Sequence, residues 1–131
     1  MIIPESHRDL LLDSTKAFAF LATTMKDGTP QVTPVWFDVE DDLIRVNTAR
    51  GRVKDVNMIA RPRASLAIMD PQNPYRYLQI RGKVVSNEEK GARAHIDILA
   101  KKYLGQDSYT GSTDETRVIY RIKPRHTFTM G

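Results

Sequence analysis

Ala17-Phe18-Ala19-Phe20-Leu21-Ala22-Thr23-Thr24, then Lys26-Asp27-Gly28, then Thr29-Pro30-Gln31-Val32-Thr33-Pro34-Val35-Trp36-Phe37-Asp38-Val39, is the stretch that decides the fold. Asp-Gly signals a two-residue turn because both residues tolerate positive φ, so the apolar run before it and the strand after it are predicted to pair as a hairpin. On the return strand Gln31, Thr33, Val35 and Phe37 share one face, and Val32, Pro34, Trp36 and Asp38 share the other. Pro30 and Pro34 lack the N–H that a fully paired strand needs, which predicts an edge or a bulge.

The same texture continues outward from this hairpin. Glu40-Asp41-Asp42 predicts a turn, and Leu43 to Thr48 alternates as a half-buried strand does. Lys54 to Arg61 reads as a short helix with Val56 and Ile59 inward, ended by Pro62. Ala64 to Met69 is a fourth predicted strand and Arg76 to Ser86 a fifth, with Gly82 marking a bulge or a close backbone approach. Glu88 to Leu104 carries Ala92, His95, Ile96, Leu99 and Tyr103 at helical spacing and stops at Gly105. Gly105 to Thr116 reads as a polar loop, Arg117 to Met130 as a last strand or pair, and Glu5 to Ser14 as a short helix packed by Leu10, Leu11 and Leu12. Six short strands joined mainly by hairpins, with one or two helices inserted, predict a mainly β, six-stranded antiparallel barrel spanning residues 1–131 as one domain. Helical and strand patterns do not alternate, which disfavours a doubly wound parallel sheet.

Composition bounds the function. The 131 residues suit one domain, and 40% hydrophobic residues with 7 Gly and 7 Pro exclude a disordered or collagenous chain. The absence of cysteine removes disulfides, thiolate metal sites and a cysteine nucleophile together, so any redox chemistry must come from a bound cofactor. No apolar run approaches the roughly 20 residues that span a bilayer, and no charged n-region precedes an apolar core at the amino terminus; the chain reads as cytoplasmic, with no membrane partner. Lys and Arg number 20 against 16 Asp and Glu, an excess that suits an anionic partner or a solubilising surface.

No dinucleotide fingerprint, phosphate loop, nucleophile elbow or paired metal-ligand histidines is present. His7, His95 and His126 stand apart, and a helical His95 reads as a packing residue; no metal site and no catalytic residue is assigned. Asp41-Asp42 and Asp114-Glu115 read as solvated turn carboxylates.

Three groups carry chemistry. In Asn47-Thr48-Ala49-Arg50-Gly51-Arg52-Val53-Lys54, cations at alternate positions follow a strand and precede a helix, an arrangement that suits either a phosphate or a basic surface loop. Asp70-Pro71-Gln72-Asn73-Pro74-Tyr75-Arg76-Tyr77 interleaves rings with Arg76, as a heterocycle platform, a single-stranded nucleic-acid platform or a half-buried edge would. Gln31 and Thr33, with Trp36 and Phe37 nearby, suit a polar-rimmed aromatic pocket or a sheet face with one core Trp.

Together, Pro30 to Phe37, Val46 to Asn57, Arg61-Pro62-Arg63-Ala64-Ser65-Leu66 and Asp70 to Tyr77 resemble the pyridoxamine 5'-phosphate oxidase-like superfamily, and within it the deazaflavin (coenzyme F-420)-dependent reductases. The resemblance covers about residues 5 to 130, and its Asn-Thr-Ala-Arg-Gly-Arg-x-Lys run is its most specific part. It implies a split β-barrel homodimer with cofactor sites between the protomers. Carried over by position, Arg52 and Lys54 hold the cofactor phosphate beside Asn47, Thr48 and Ala49, while Gln31, Thr33 and Pro34 flank the tricyclic ring. Met69, Asp70 and Tyr75 to Tyr77 approach from nearby or from the partner subunit, and Arg50 lies toward the cofactor tail. The implied reaction is hydride transfer between a deazaflavin, or alternatively FMN, and a small unsaturated molecule, with the proton coming from water or Tyr75. The alternatives of another class are a nucleic-acid binder, the less favoured, and a cofactor-storing barrel without turnover.

Overall fold

A computed structural model describes residues 2–131. Its strands are β1 (Ala19–Thr24), β2 (Pro30–Val35), β3 (Phe37–Glu40), β4 (Leu43–Ala49), β5 (Arg63–Asp70), β6 (Asn73–Glu88) and β7 (Arg117–Met130). Helix α1 (Val53–Ala60) lies between β4 and β5, and α2 (Ala92–Leu104) between β6 and β7. The strands form one antiparallel sheet in the order β2-β1-β5-β6-β7-β4-β3.

Seven strands replace the six predicted, and the difference has a local cause. The stretch read as one return strand, Thr29 to Val39, breaks at Trp36: β2 pairs with β1, and β3 pairs with β4 at the opposite edge of the sheet. A single residue joins the two edges, so the sheet must curl until they meet, a curled half-barrel consistent with a split barrel. As the prolines predict, β2 is an edge strand.

The turns follow their chemistry with one change. Asp41 and Asp42 both adopt positive φ, at 53° and 62°, and close β3 onto β4 with two residues. At the first hairpin only Gly28 does so, and the Met25 N–H to Thr29 carbonyl bond of 2.8 Å makes the loop three residues long rather than two. Gly82 is a close approach: a Cβ there would meet Ile122 Cγ2 at 2.6 Å and the Lys123 carbonyl oxygen at 2.8 Å.

Leu21, Phe37, Ile44, Val46, Leu66, Ile68, Leu78, Ile80, Tyr120 and Ile122 fill the interior with Met58 of α1 and Ile3 and Leu10 of the amino-terminal segment. Each apolar side chain so buried contributes about 1.5–3 kcal/mol. That segment coils as 3-10 turns, Glu5–Leu11 and Asp13–Thr15, and buries Leu10 and Leu11 while Leu12 faces out. The predicted helix at Lys54 forms with its faces reversed: Val56 and Ile59 are exposed, and Asp55, Asn57 and Met58 are buried. Polar partners supplied by distant strands explain the reversal. Tyr120 donates its hydroxyl to Asp55, and Asn57 Nδ2 donates to Thr23 Oγ1 at 3.1 Å.

Candidate functional site

The basic stretch after β4 is held by carboxylates. Arg50 reaches Asp55 at 3.0 Å, Glu89 at 2.9 Å and the Asn87 side-chain oxygen at 2.9 Å. Gly51, at φ 89°, turns the chain so that its N–H meets the second Asp55 oxygen at 2.9 Å. Asp55 thus ties the loop to the first turn of α1 and to Tyr120, whose hydroxyl is pushed above its ordinary range first by burial, then by its hydrogen bond to Asp55 and by the Asp55 charge.

Arg52 and Arg117 share one carboxylate. Glu115 accepts from Arg52 at 2.6 Å with one oxygen and from Arg117 at 2.8 Å with the other. Arg117 is buried because it pairs opposite Ala49 in the β4–β7 ladder, and its Nε donates to Asn47 Oδ1 at 2.8 Å. The Asn47 amide donates in turn to the Ala92 carbonyl at 2.9 Å and to His95 Nδ1 at 3.1 Å, leaving His95 Nε2 to donate to Asp38 at 3.0 Å. Burial alone would raise the Asp38 carboxyl, but hydrogen bonds from His95 and from Arg45, the latter bidentate at 2.9 and 2.7 Å, outweigh it and lower the pKa. His95 is therefore a satisfied packing residue, as read from the sequence.

Lys54 differs from these arginines. It is half-buried at the start of α1, where no side chain caps the first turn, and it enters no ion pair among the described residues. Burial first, and then the charges of Arg52 and Arg117, hold its ammonium below the ordinary lysine range. A cation pressed against two others with no counter-ion of its own suits an anion.

The remaining sequence-predicted residues fall into other groups. Gln31 and Thr33 face inward on β2; Gln31 accepts from Thr23 at 3.2 Å, and the Thr33 hydroxyl is buried without a partner, as is that of Thr48. Pro34 lies on the outer face and lines an apolar pocket of about 330 Å³ with Phe18, Phe20, Met69 and Pro71. Tyr77 stands between Met69 and Met130 in the sheet, and Tyr75 is 81% exposed. Arg76 is neutralised by Asp9 at 2.6 Å and Asp70 at 3.1 Å, so the Tyr-Arg-Tyr stretch offers nucleic acid no free cation. Ala49 is buried at the end of β4, beside the cationic cluster. Sequence reasoning missed Arg117 and read Glu115 as a turn carboxylate; only the β4–β7 register brings both to Arg52. Among the described residues no cluster of His, Asp and Glu suited to a metal is present, and no helix is long and apolar enough to cross a membrane.

The family described as pyridoxamine 5'-phosphate oxidase matches residues 3–131. A solved structure of an F420 reductase is 32% identical, superposes with a TM-score of 0.85, and is matched over 96% of this chain and 98% of that one. The conserved hypothetical protein Rv2991 from Mycobacterium tuberculosis is 25% identical over 99% of this chain and 86% of its own, with a TM-score of 0.75. The haem storage protein HutZ from Vibrio cholerae, at 15% identity and a TM-score of 0.69 over 100% of this chain and 96% of its own, shares the fold alone. No curated protein matches.

Proposed function

This chain belongs to the pyridoxamine 5'-phosphate oxidase family, and we propose that it is an oxidoreductase that transfers a hydride between a deazaflavin, coenzyme F-420, and a small unsaturated organic substrate. FMN is the alternative cofactor. The observation that carries the reading is Lys54, half-buried and without a counter-ion among the described residues, beside Arg52 and Arg117 at the open first turn of α1. A cofactor phosphate would supply the missing charge, accepting from Lys54 and Arg52 and from first-turn amides. The likeness to an F420 reductase at 32% identity supports the deazaflavin over FMN.

In this reading Asn47 positions Arg117, and Thr48 and Ala49 place the strand end beside the phosphate. Arg50 is oriented toward the cofactor tail. Gln31, Thr33 and Pro34 flank the ring from the edge strand β2. Met69, Tyr75 and Tyr77 approach from their own chain or from a partner copy. The bound ring supplies the hydride-accepting centre, so the chain need only bind, orient and shield it. Phe20, Val32, Phe128 and Met130 are exposed large apolar side chains, as a sheet face covered by a second protomer would be.

Titrating coenzyme F-420 and FMN into the purified protein, followed by fluorescence, tests the proposal. Binding of the deazaflavin is expected, and replacing Arg52 and Lys54 together by Ala should abolish it without loss of fold. Failure of both cofactors to bind would remove the reading. Light scattering should return the mass of two chains.

A further inference from the structure

We infer that Glu115 sets the choice of cofactor by the charge on its phosphate, favouring a singly charged phosphodiester over a doubly charged phosphomonoester. This selection rests on the proposed phosphate site at Lys54 and narrows the anion that the site takes. Glu115 spans the two arginines that stand beside Lys54, with one oxygen 2.6 Å from Arg52 Nη2 and the other 2.8 Å from Arg117 Nη1. It therefore cancels one of the three positive charges gathered at the start of α1. Asp55 and Glu89 are committed to Arg50, so among the described residues Glu115 is the carboxylate bound to Arg52 and Arg117. A phosphate on the remaining N–H groups of Arg52 has the Glu115 carboxylate across the same guanidinium.

The carboxylate is held in place and held ionised. The Thr116 carbonyl accepts from the Arg50 N–H at 2.9 Å, and the Tyr109 N–H donates to Asp97 at 2.8 Å, which sets the Tyr109 ring 5.6 Å from the Arg117 guanidinium and edge-on to Trp36. Chiefly the hydrogen bond from Arg52 keeps the Glu115 carboxyl below the usual carboxylate range. The pair adds little to stability, because the Arg52 side chain is 49% exposed. Its effect falls on an incoming anion. A phosphomonoester such as that of FMN carries about −1.5 to −2 charges at neutral pH, whereas a diester such as that of coenzyme F-420 carries one at phosphorus. Doubling the charge roughly doubles the attraction to a cation cluster, but it raises the cost of leaving water about fourfold, because that cost grows with the square of the charge. A weakened cluster therefore favours the singly charged ester, and Glu115 is what weakens this one.

The test compares two esters of one flavin, FMN and riboflavin 4',5'-cyclic phosphate, by fluorescence titration of the full chain, with coenzyme F-420 titrated alongside. The parent should bind the cyclic diester more tightly than FMN. In Glu115→Gln, FMN should gain about tenfold or more, and the cyclic diester and coenzyme F-420 no more than about fivefold, because loss of one neighbouring charge acts in proportion to the charge on the ligand. Glu115→Asp keeps the charge and should keep the parent's order. A loop merely loosened by the substitution would admit both flavin esters alike. An equal gain for the two esters in Glu115→Gln therefore overturns the inference, as does an unchanged FMN affinity, a parent that prefers FMN, or loss of the parent's order in Glu115→Asp. Failure of all three ligands to bind the parent removes the cofactor reading and this selection with it, whereas binding of coenzyme F-420 with an unchanged ester ratio in Glu115→Gln removes the selection alone.

Discussion

The molecule has two basic regions of opposite construction. At the start of α1, Arg50, Arg52 and Arg117 are fixed by Asp55, Glu89 and Glu115, whereas Lys54 has no counter-ion among the described residues. On the outer sheet face, Arg63, Arg81, Lys83 and Arg125 share one groove with no carboxylate. A fixed cation gives position, and an unpaired one gives field strength that salt screens. The first region therefore depends on its anchoring anions for structure, whereas the second should tolerate loss of its charges.

Removing an anchor is the harshest way to separate the two. Asp55→Ala strands the buried Tyr120 hydroxyl, the Gly51 N–H and Arg50 together, and should cost about 3 kcal/mol in a urea melt. A loss below about 1 kcal/mol would show that the loop holds without it. Lys54→Gln comes next. It should lower deazaflavin affinity at least about tenfold, the lower end for a charge-assisted hydrogen bond, with no drop in melting temperature. Unchanged affinity would move the phosphate elsewhere.

Glu115→Gln sharpens the contrast from the other side. Its carboxylate occupies Arg52 and Arg117, and it is held below the usual range chiefly by the hydrogen bond from Arg52. Removing that charge frees both guanidinium groups and should raise cofactor affinity by up to about fivefold, a limit set by the modest worth of part-exposed ion pairs. A fall in affinity would make Glu115 a support rather than a competitor. The smallest effect is a pH dependence. The folded Lys54 pKa lies below the ordinary 10.5, so its charge opposes folding at all pH values below the folded pKa. That cost is relieved between the folded pKa and 10.5. Any stability advantage of Lys54→Gln should therefore shrink as pH rises toward 10.5, and a constant gap would assign it to packing.

What could be read from the chain divides along the same line. Alternation, Asp27-Gly28 and Asp41-Asp42 gave the strands and hairpins, because those signals are local. The break at Trp36 is not local; it follows from closing the sheet and is invisible in an unbroken extended pattern. The reversed face of α1 was hidden because the partners of Asp55 and Asn57 come from β7 and β1. Arg52 and Lys54 stand in one short run and could be singled out. Arg117 lies 65 residues from Arg52, and Arg63, Lys83 and Arg125 come from three separate strands, so neither grouping was open to a linear reading.

Sheet order also bears on how the chain is made. β7, the last strand in sequence, sits inside the sheet between β6 and β4. During synthesis the β3–β4 hairpin emerges early and waits with an open edge until residues 117–130 have cleared the ribosome. A nascent chain stalled before Arg117 would expose that edge to other chains, so the vulnerable moment for aggregation lies in translation rather than in the finished molecule.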